Sequence, residues 1–154
     1  MALDDDIARL AQQPLLGLME RDALRLVAFA AENRSLRAGD VLFRIGEPSD
    51  GAVLIVSGAV ALASQDDGQP AAEILGPGAL IGEMALFSSI GRPVTAIARE
   101  PTQVMRLSRS VMRRVLGEFP ASAEAIADAI GERLRGFVSE LTAVQNALNA
   151  IDRD

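Results

Sequence analysis

The sequence predicts an α+β fold in which an antiparallel β jelly-roll barrel lies between short N-terminal helices and a long C-terminal helix. Three successive patterns support this prediction. Apolar residues recur every three or four positions over residues 3–31, and short apolar runs alternate with turn-forming residues over 33–108. Helical spacing then returns from residue 109. A chain of 154 residues is long enough for one domain with its own core.

The first zone predicts two or three short helices. Its apolar residues fall at helical spacing, and Pro14 and Gly17 interrupt the run. The residues that carry this period are Leu3, Ile7, Leu10, Leu24, Val27, Ala28 and Ala31.

The middle zone predicts a series of short strands. Its apolar runs are separated by turn sequences such as Gly46-Glu47-Pro48 and Gly76-Pro77-Gly78. Strands between regularly spaced turns are typical of an all-β barrel or a jelly roll. The candidate strands are residues 41–44, 52–56, 59–64, 71–75, 94–98 and 102–107.

The last zone predicts a short helix followed by a long one. Ser108 or Ser110 is suited to cap the short helix, which we expect to end near Gly117. Pro120 then begins the long helix, because proline is tolerated in the first turn. Apolar residues of this helix repeat every seven positions in two registers, which are Ala127, Leu134, Leu141 and Leu148, and Ile130, Phe137, Val144 and Ile151.

This heptad pattern predicts a coiled-coil seam and therefore a homodimer that forms through the long helix. The alternative is a single amphipathic helix that lies on its own barrel. Both interpretations place the same apolar stripe against a partner surface, so the sequence leaves the choice open.

Two residue types are missing, and their absence excludes several kinds of chemistry. The chain has no cysteine, so it has no disulfide, iron–sulfur cluster or thiolate nucleophile. It has no histidine, which removes the usual general base and the commonest zinc or haem ligand. Asp66-Asp67 lies beside Gly68 and Pro70, which indicates a turn and not a metal site. We therefore expect no enzymatic activity, no metal and no cofactor.

The charge of the chain argues against direct DNA binding. The net charge is −6, and nucleic-acid binding needs a basic face. The first six residues are acidic where a signal peptide would be basic, and the longest aliphatic run, 52–56, is too short to span a membrane. We expect a cytoplasmic protein that does not bind membranes.

The segment 82–95 contains the candidate binding site. Gly82 allows the backbone to approach a ligand closely. Glu83 is an anion in a mostly apolar segment, and a ribose hydroxyl is a suitable hydrogen-bond donor for it. Arg92 supplies a positive charge and a planar fork for a phosphate. The alternative is an internal salt bridge between Glu83 and Arg92.

Residues 84–88 predict a short helix within this segment. The backbone amides of Ala85 and Leu86 would then face an anion at its N-terminal end. An apolar slot for a purine base is predicted nearby, although each residue that would line it is equally a plain barrel-core residue. Those residues are Val60, Leu62, Ile81, Met84 and Val94.

Four motifs in order carry a resemblance to a known family. They are Pro14-Leu15-Leu16-Gly17-Leu18, the stretch from Arg37-Ala38-Gly39-Asp40 to Pro48-Ser49-Asp50, Ile55-Val56-Ser57-Gly58-Ala59-Val60, and the segment 82–95. Over residues 14–137 the chain resembles the cyclic nucleotide-binding domain of the catabolite-activator and protein-kinase-A regulatory-subunit type. In that family the segment corresponding to 82–95 is the phosphate-binding cassette, and we use this name for 82–95 below.

The resemblance implies a domain over residues 1–119 and a C-terminal lid or dimerisation helix over 120–154. It implies that Glu83 binds the ribose and that Arg92 and the amide of Ala85 bind the cyclic phosphate. The implied ligand-binding set is Gly82, Glu83, Met84, Ala85, Leu86, Arg92, Pro93, Val94 and Thr95.

Two departures from the family pattern affect the expected ligand. Pro93 stands where the family has Ala, Ser or Thr, and proline has neither an amide hydrogen nor a hydroxyl. A hydroxyl at this position is associated with guanine preference, so its absence favours cAMP over cGMP. Phe137 and Val138 stand where the catabolite activator places two hydroxyl residues against adenine, which suggests an apolar cap over the base.

These observations predict a stand-alone cyclic nucleotide sensor without a DNA-binding or catalytic domain, whose signal passes through dimerisation or an unidentified effector protein. One alternative is a degenerate domain of the same fold that binds a protein partner and no nucleotide. Another is a transcription factor that has lost its DNA-reading domain, against which the acidic composition argues.

Overall fold

The computed structural model describes residues 2–64 and 73–152, and it begins with the predicted short helices. Helix α1 spans Ala2–Ala11, a single 3₁₀ turn spans Leu16–Leu18, and helix α2 spans Arg21–Ala30. Most residues at the predicted period, including Leu10 and Leu24, are buried, and Leu3 and Ala31 are partly buried. The aspartate pair predicted to form a turn, at 66–67, lies outside the described residues.

The described part of the middle zone forms two antiparallel sheets of four strands. The strands are β1 (Glu32–Leu36), β2 (Val41–Phe43), β3 (Gly51–Ser57), β4 (Val60–Ala63), β5 (Glu73–Leu75), β6 (Leu80–Ile81), β7 (Thr95–Ala98) and β8 (Thr102–Ser108). One sheet has the order β1-β8-β3-β6, and the other has the order β2-β7-β4-β5. The predicted antiparallel jelly roll is confirmed.

Two of these strands, β1 and β6, were not among the predicted ones. Four of the five residues of β1 are exposed, so its sequence, Glu-Asn-Arg-Ser-Leu, has no apolar alternation. It is a strand because it pairs with β8, from Glu32 opposite Arg106 to Leu36 opposite Thr102. Strand β6 has only two residues, which is too short for a periodic signal.

Strand β3 separates two apolar cores. Ala52 and Leu54 pack with the helices, whereas Val53 and Ile55 face the space between the two sheets. Successive side chains of a strand point to opposite faces, so a strand that is buried on both faces is apolar throughout. This explains why the sequence of β3 is a continuous apolar run.

The C-terminal helices begin where the sequence predicts. Helix α3 spans Arg109–Glu118, and the Ser108 hydroxyl accepts hydrogen bonds from the backbone amides of Ser110 and Val111. Helix α4 spans Pro120–Asp152. The positioning of α3 matters for the site, because Arg109 in its first turn reaches the cassette.

Only the first part of α4 packs against the rest of the protein. Ser122 and Ile126 are buried, and Ile130 packs against the helical core. Every side chain from 132 to 151 is exposed. The N-terminal part of α4 therefore packs on its own domain, and the rest of the helix does not. The apolar heptad residues from Leu134 to Ile151 are 53–68% exposed.

Candidate functional site

Gly82 begins the cassette directly after β6 and has a left-handed backbone, with φ of +79°. A Cβ atom at this position would lie 2.7 Å from Nη1 of Arg92. The left-handed backbone therefore favours glycine, and a side chain at this position would also displace the end of the Arg92 side chain. A 3₁₀ helix, Glu83–Leu86, follows at once, as the sequence predicted for a short helix here.

Glu83 connects the cassette to both helical ends of the domain. Its side chain is 15% exposed, and Oε1 lies 3.8 Å from Nη1 of Arg133 on α4. Its Oε2 accepts a hydrogen bond of 3.3 Å from the backbone amide of Leu15. The structure thus gives Glu83 partners other than Arg92, and neither of them was foreseen from the sequence.

Arg92 is buried, with 6% of its side chain exposed, and it has partners on two sides. Its Nη2 lies 3.9 Å from Oδ1 of Asp50, and its guanidinium carbon lies 4.2 Å from the centroid of the Phe43 ring. Burial lowers the pKa of Arg92, and the nearby Asp50 carboxylate opposes that effect. A buried guanidinium with such long ionic contacts is suited to bind a further anion.

The backbone of Arg92 is fixed by the turn before β3. Its amide donates to the carbonyl of Glu47 at 2.8 Å, and its own carbonyl accepts from the amide of Gly46 at 2.8 Å. These two bonds hold the arginine in place independently of what its side chain binds.

Asp50 is a site residue to which the sequence analysis gave no role. Besides Arg92, it faces Arg106 of β8, with 3.6 Å between Asp50 Oδ1 and Arg106 Nη2. Asp50 ends one of the quoted motifs, but spacing alone does not show which arginine it meets. The packing of β3 beside β8 brings Asp50 close to Arg106, and the backbone bonds of Arg92 to Gly46 and Glu47 bring the second arginine to them.

The predicted amide donors are partly engaged within the cassette. The amide of Ala85 donates to the carbonyl of Gly82 at 2.9 Å, so an anion at this point would have to share or replace that bond. Arg109 of α3 holds the other end of the 3₁₀ helix by donating to the carbonyls of Ala85 and Ser88. Leu86 anchors the segment in the helical core.

The remaining cassette residues have different environments. Pro93 is exposed, Met84 is 37% exposed, and Val94 packs against the core between the sheets. Thr95 is 1% exposed, and its hydroxyl accepts a 2.9 Å hydrogen bond from the amide of Ile45. The structure therefore gives Thr95 a structural role besides its predicted place in the site.

Thr95→Val is expected to lower the free energy of unfolding by about 1–3 kcal/mol, because the Ile45 amide loses the Thr95 hydroxyl that accepts its hydrogen bond. Urea unfolding would measure this. The matched control is Thr142→Val on the exposed part of α4, which should change the free energy by less than about 0.5 kcal/mol. Equal effects of the two variants would contradict the structural role of Thr95.

The predicted base slot coincides with the core between the sheets. Val60 and Ile81 are buried in that core, and Leu62 and Val94 pack against it. Phe137 and Val138, the predicted cap, are 57% and 52% exposed on the unpacked part of α4. The structure therefore leaves the two cap residues in solvent.

Within residues 2–64 and 73–152 no group of acidic side chains is arranged to hold a metal ion. Among those same residues, no helix combines the length and apolar character needed to cross a membrane.

Comparison with known proteins identifies relatives of both the sequence and the fold. The sequence profile described as Cyclic nucleotide-binding domain matches residues 33–119. The chain is 32% identical over 123 residues to the Cyclic nucleotide-gated potassium channel mll3241 of Mesorhizobium japonicum, a match that covers 80% of this chain and 33% of the channel. The chain thus spans about a third of the length of this curated relative.

Two solved structures share the fold. The Cyclic nucleotide-binding-like protein from Brucella abortus is 43% identical, with a TM-score of 0.69 over 74% of this chain and 99% of that one. The N-terminal domain of a transcriptional regulator from Streptomyces coelicolor A3(2) is 27% identical, with a TM-score of 0.77 over 86% of this chain and 94% of that one.

Proposed function

We propose that this chain, which belongs to the cyclic nucleotide-binding domain family, is a regulatory module that binds cAMP in its cassette. The observation that carries the proposal is the buried Arg92, whose Nη1 lies beside Gly82 at the start of the cassette. In this role Arg92 binds the cyclic phosphate, Glu83 binds the ribose hydroxyl, and the apolar core around Val60 and Leu62 borders the base.

The contacts of Glu83 suggest how binding is transmitted. A ribose hydroxyl that donates to Glu83 competes with the amide of Leu15 and with Arg133 for the same carboxylate. Binding would therefore loosen the N-terminal segment or α4, and α4 is free to repack over the ligand with Phe137 and Val138 as a cap. A ligand shifts such an equilibrium only by the difference in its affinity for the two arrangements.

The output of the module is proposed to pass through α4 and an effector protein. The exposed heptad residues from Leu134 to Ile151 are suited to a homodimer seam. The acidic composition supports a role without direct DNA binding, and the lack of histidine and cysteine supports a regulatory role over a catalytic one.

Isothermal titration with cAMP and cGMP, together with a thermal-shift panel that includes cyclic dinucleotides, tests the proposal. We expect cAMP to release heat and raise Tm, because a ligand that binds the folded state stabilises it. We expect a weaker response to cGMP. An absence of both heat and Tm shift at high micromolar cAMP would contradict nucleotide binding.

Pro93→Ala is expected to tighten cAMP binding by about tenfold, because alanine restores a backbone amide that donates to the phosphate, and a charge-assisted hydrogen bond contributes about 1.5–3 kcal/mol. Pro93 is exposed, so we expect the substitution to leave the fold unchanged. Titration of the two proteins would measure the change, with Pro77→Ala, in an exposed turn outside the cassette, as the matched control. Unchanged affinity in Pro93→Ala would mean that this amide position does not face the phosphate.

The second candidate is a degenerate domain that binds a protein partner and no nucleotide. The observations that favour it are Pro93 and the internal partners of Glu83 and Arg92. If no cyclic nucleotide binds either the natural chain or Pro93→Ala, this second candidate is the one to pursue.

A further inference from the structure

A cavity of about 250 Å³ lies between the two sheets, beside Arg92. Its lining includes three apolar side chains, Leu36 of β1, Phe43 of β2 and Val104 of β8. Among the described residues, its lining includes Arg92 but nothing from the 3₁₀ helix of the cassette. Glu83 is not among the residues that line the cavity.

The polar lining of this cavity carries an excess of positive charge. Three arginines, Arg34, Arg92 and Arg106, face it together with two carboxylates, Glu47 and Asp50. This local excess of one positive charge stands in a chain whose net charge is −6. A single negative charge on a ligand would neutralise it, whereas a dianion would meet repulsion from the two acids.

The arginines retain hydrogen-bonding capacity. Asp50 is shared between Arg92 and Arg106 at 3.9 and 3.6 Å, which exceeds the length of a hydrogen bond in both cases. Its side chain is 79% exposed, so water competes for the carboxylate. A carboxylate that entered the cavity would find donors on Arg92, which is buried, and on Arg106 at the rim.

We propose that this cavity is a second ligand site, which binds a small monocarboxylate with a short apolar tail. Arg106 and Arg92 bind the carboxylate of the ligand in the way that they contact the Asp50 carboxylate in the structure. The apolar tail of the ligand lies against Leu36, Phe43 and Val104. The volume lies just below the usual range of ligand pockets, which suits a short-chain acid better than a nucleotide.

The shared Arg92 connects this site to the cassette, and this step depends on the proposed nucleotide function. An acid in the cavity draws the Arg92 guanidinium toward Phe43 and away from a phosphate beside Gly82. Cyclic nucleotide and carboxylate would therefore weaken each other's binding by the same factor, as linkage requires.

The test is a titration of the full chain, without nucleotide, with hexanoate, acetate and hexylamine, followed by methyl NMR and thermal shift. We expect hexanoate to shift the methyl signals of Leu36, Val53 and Val104, acetate to bind at least about tenfold more weakly, and hexylamine not to bind there. Arg106→Gln should weaken hexanoate binding by at least about tenfold. Arg21→Gln, an exposed arginine at the other end of the domain, serves as the matched control.

Three results would overturn the proposal. They are equal hexanoate affinity in Arg106→Gln and the natural chain, equal binding of hexylamine, and methyl shifts confined to the groove between α3 and α4 near Leu116 and Ile130. Arg106 is partly exposed, so Arg106→Gln should fold, and Val104→Met provides a second variant that fills the cavity and keeps its charges. If cAMP fails to bind while hexanoate binds as expected, the proposed nucleotide function fails and this site stands.

Discussion

Replacing Arg92 by glutamine is expected to weaken cAMP binding by about 30-fold or more, because removing one partner of a desolvated charge pair costs about 2–5 kcal/mol. Only 6% of the Arg92 side chain is exposed, and its Nη1 lies against Gly82, where the phosphate is proposed to bind. Isothermal titration of Arg92→Gln against the natural chain measures this loss.

Two further variants separate lost binding from lost folding. Arg92→Glu places a second acid beside Asp50 and is expected to lose binding and also some stability, since like charges repel in a buried site. Arg21→Gln, at an exposed arginine, should bind cAMP as the natural chain does. Urea unfolding of each protein reports its stability, and a folded Arg92→Gln that binds cAMP at full affinity would refute the role of Arg92.

Leu141→Glu is expected to convert the proposed homodimer into a monomer. Leu141 lies near the middle of the exposed heptad seam on α4, and in a dimer the introduced carboxylate would be buried without a partner. The penalty of several kcal/mol corresponds to a loss in dimer affinity of more than about 100-fold. Sedimentation should show a species of twice 16.2 kDa for the natural chain and one of 16.2 kDa for the variant.

The matched control is Asn146→Glu, which adds the same charge to the opposite face of α4. This position is exposed, and the variant should remain dimeric. A natural chain that sediments as a monomer, or a Leu141→Glu variant that remains a dimer, would refute the seam. Nucleotide binding in Leu141→Glu shows in addition whether the site needs the dimer.

Periodic sequence patterns predicted the architecture well where burial is regular. Ser108 and Pro120 mark the starts of α3 and α4 because capping and first-turn proline are local effects that depend on a few neighbouring residues. Strand β3 was predicted from its apolar run for a similarly local reason. The exposed strand β1 was missed because its pairing with β8 is a contact between residues far apart in sequence.

In the site, too, local features were predicted and contacts between distant residues were not. Gly82, Glu83 and Arg92 were predicted as candidate ligand-binding residues from residue type, spacing and resemblance, and their binding roles remain predictions. The partners that set their geometry, namely Leu15 and Arg133 for Glu83 and Asp50 for Arg92, were not predicted. Each partner comes from another element, and side-chain partners across elements are decided by packing.

The sequence by itself therefore determined the succession of helical, strand and helical zones, the position of the cassette and the apolar stripe of α4. These follow from local propensity and from periodic burial, which are written in consecutive residues. Only the tertiary structure decided that Glu83 contacts Leu15 and Arg133 and that Arg92 belongs to both the cassette and the cavity between the sheets. It also decided that most of α4 is exposed. Those features depend on distances between residues far apart in the chain, which the folded core sets and no local pattern records.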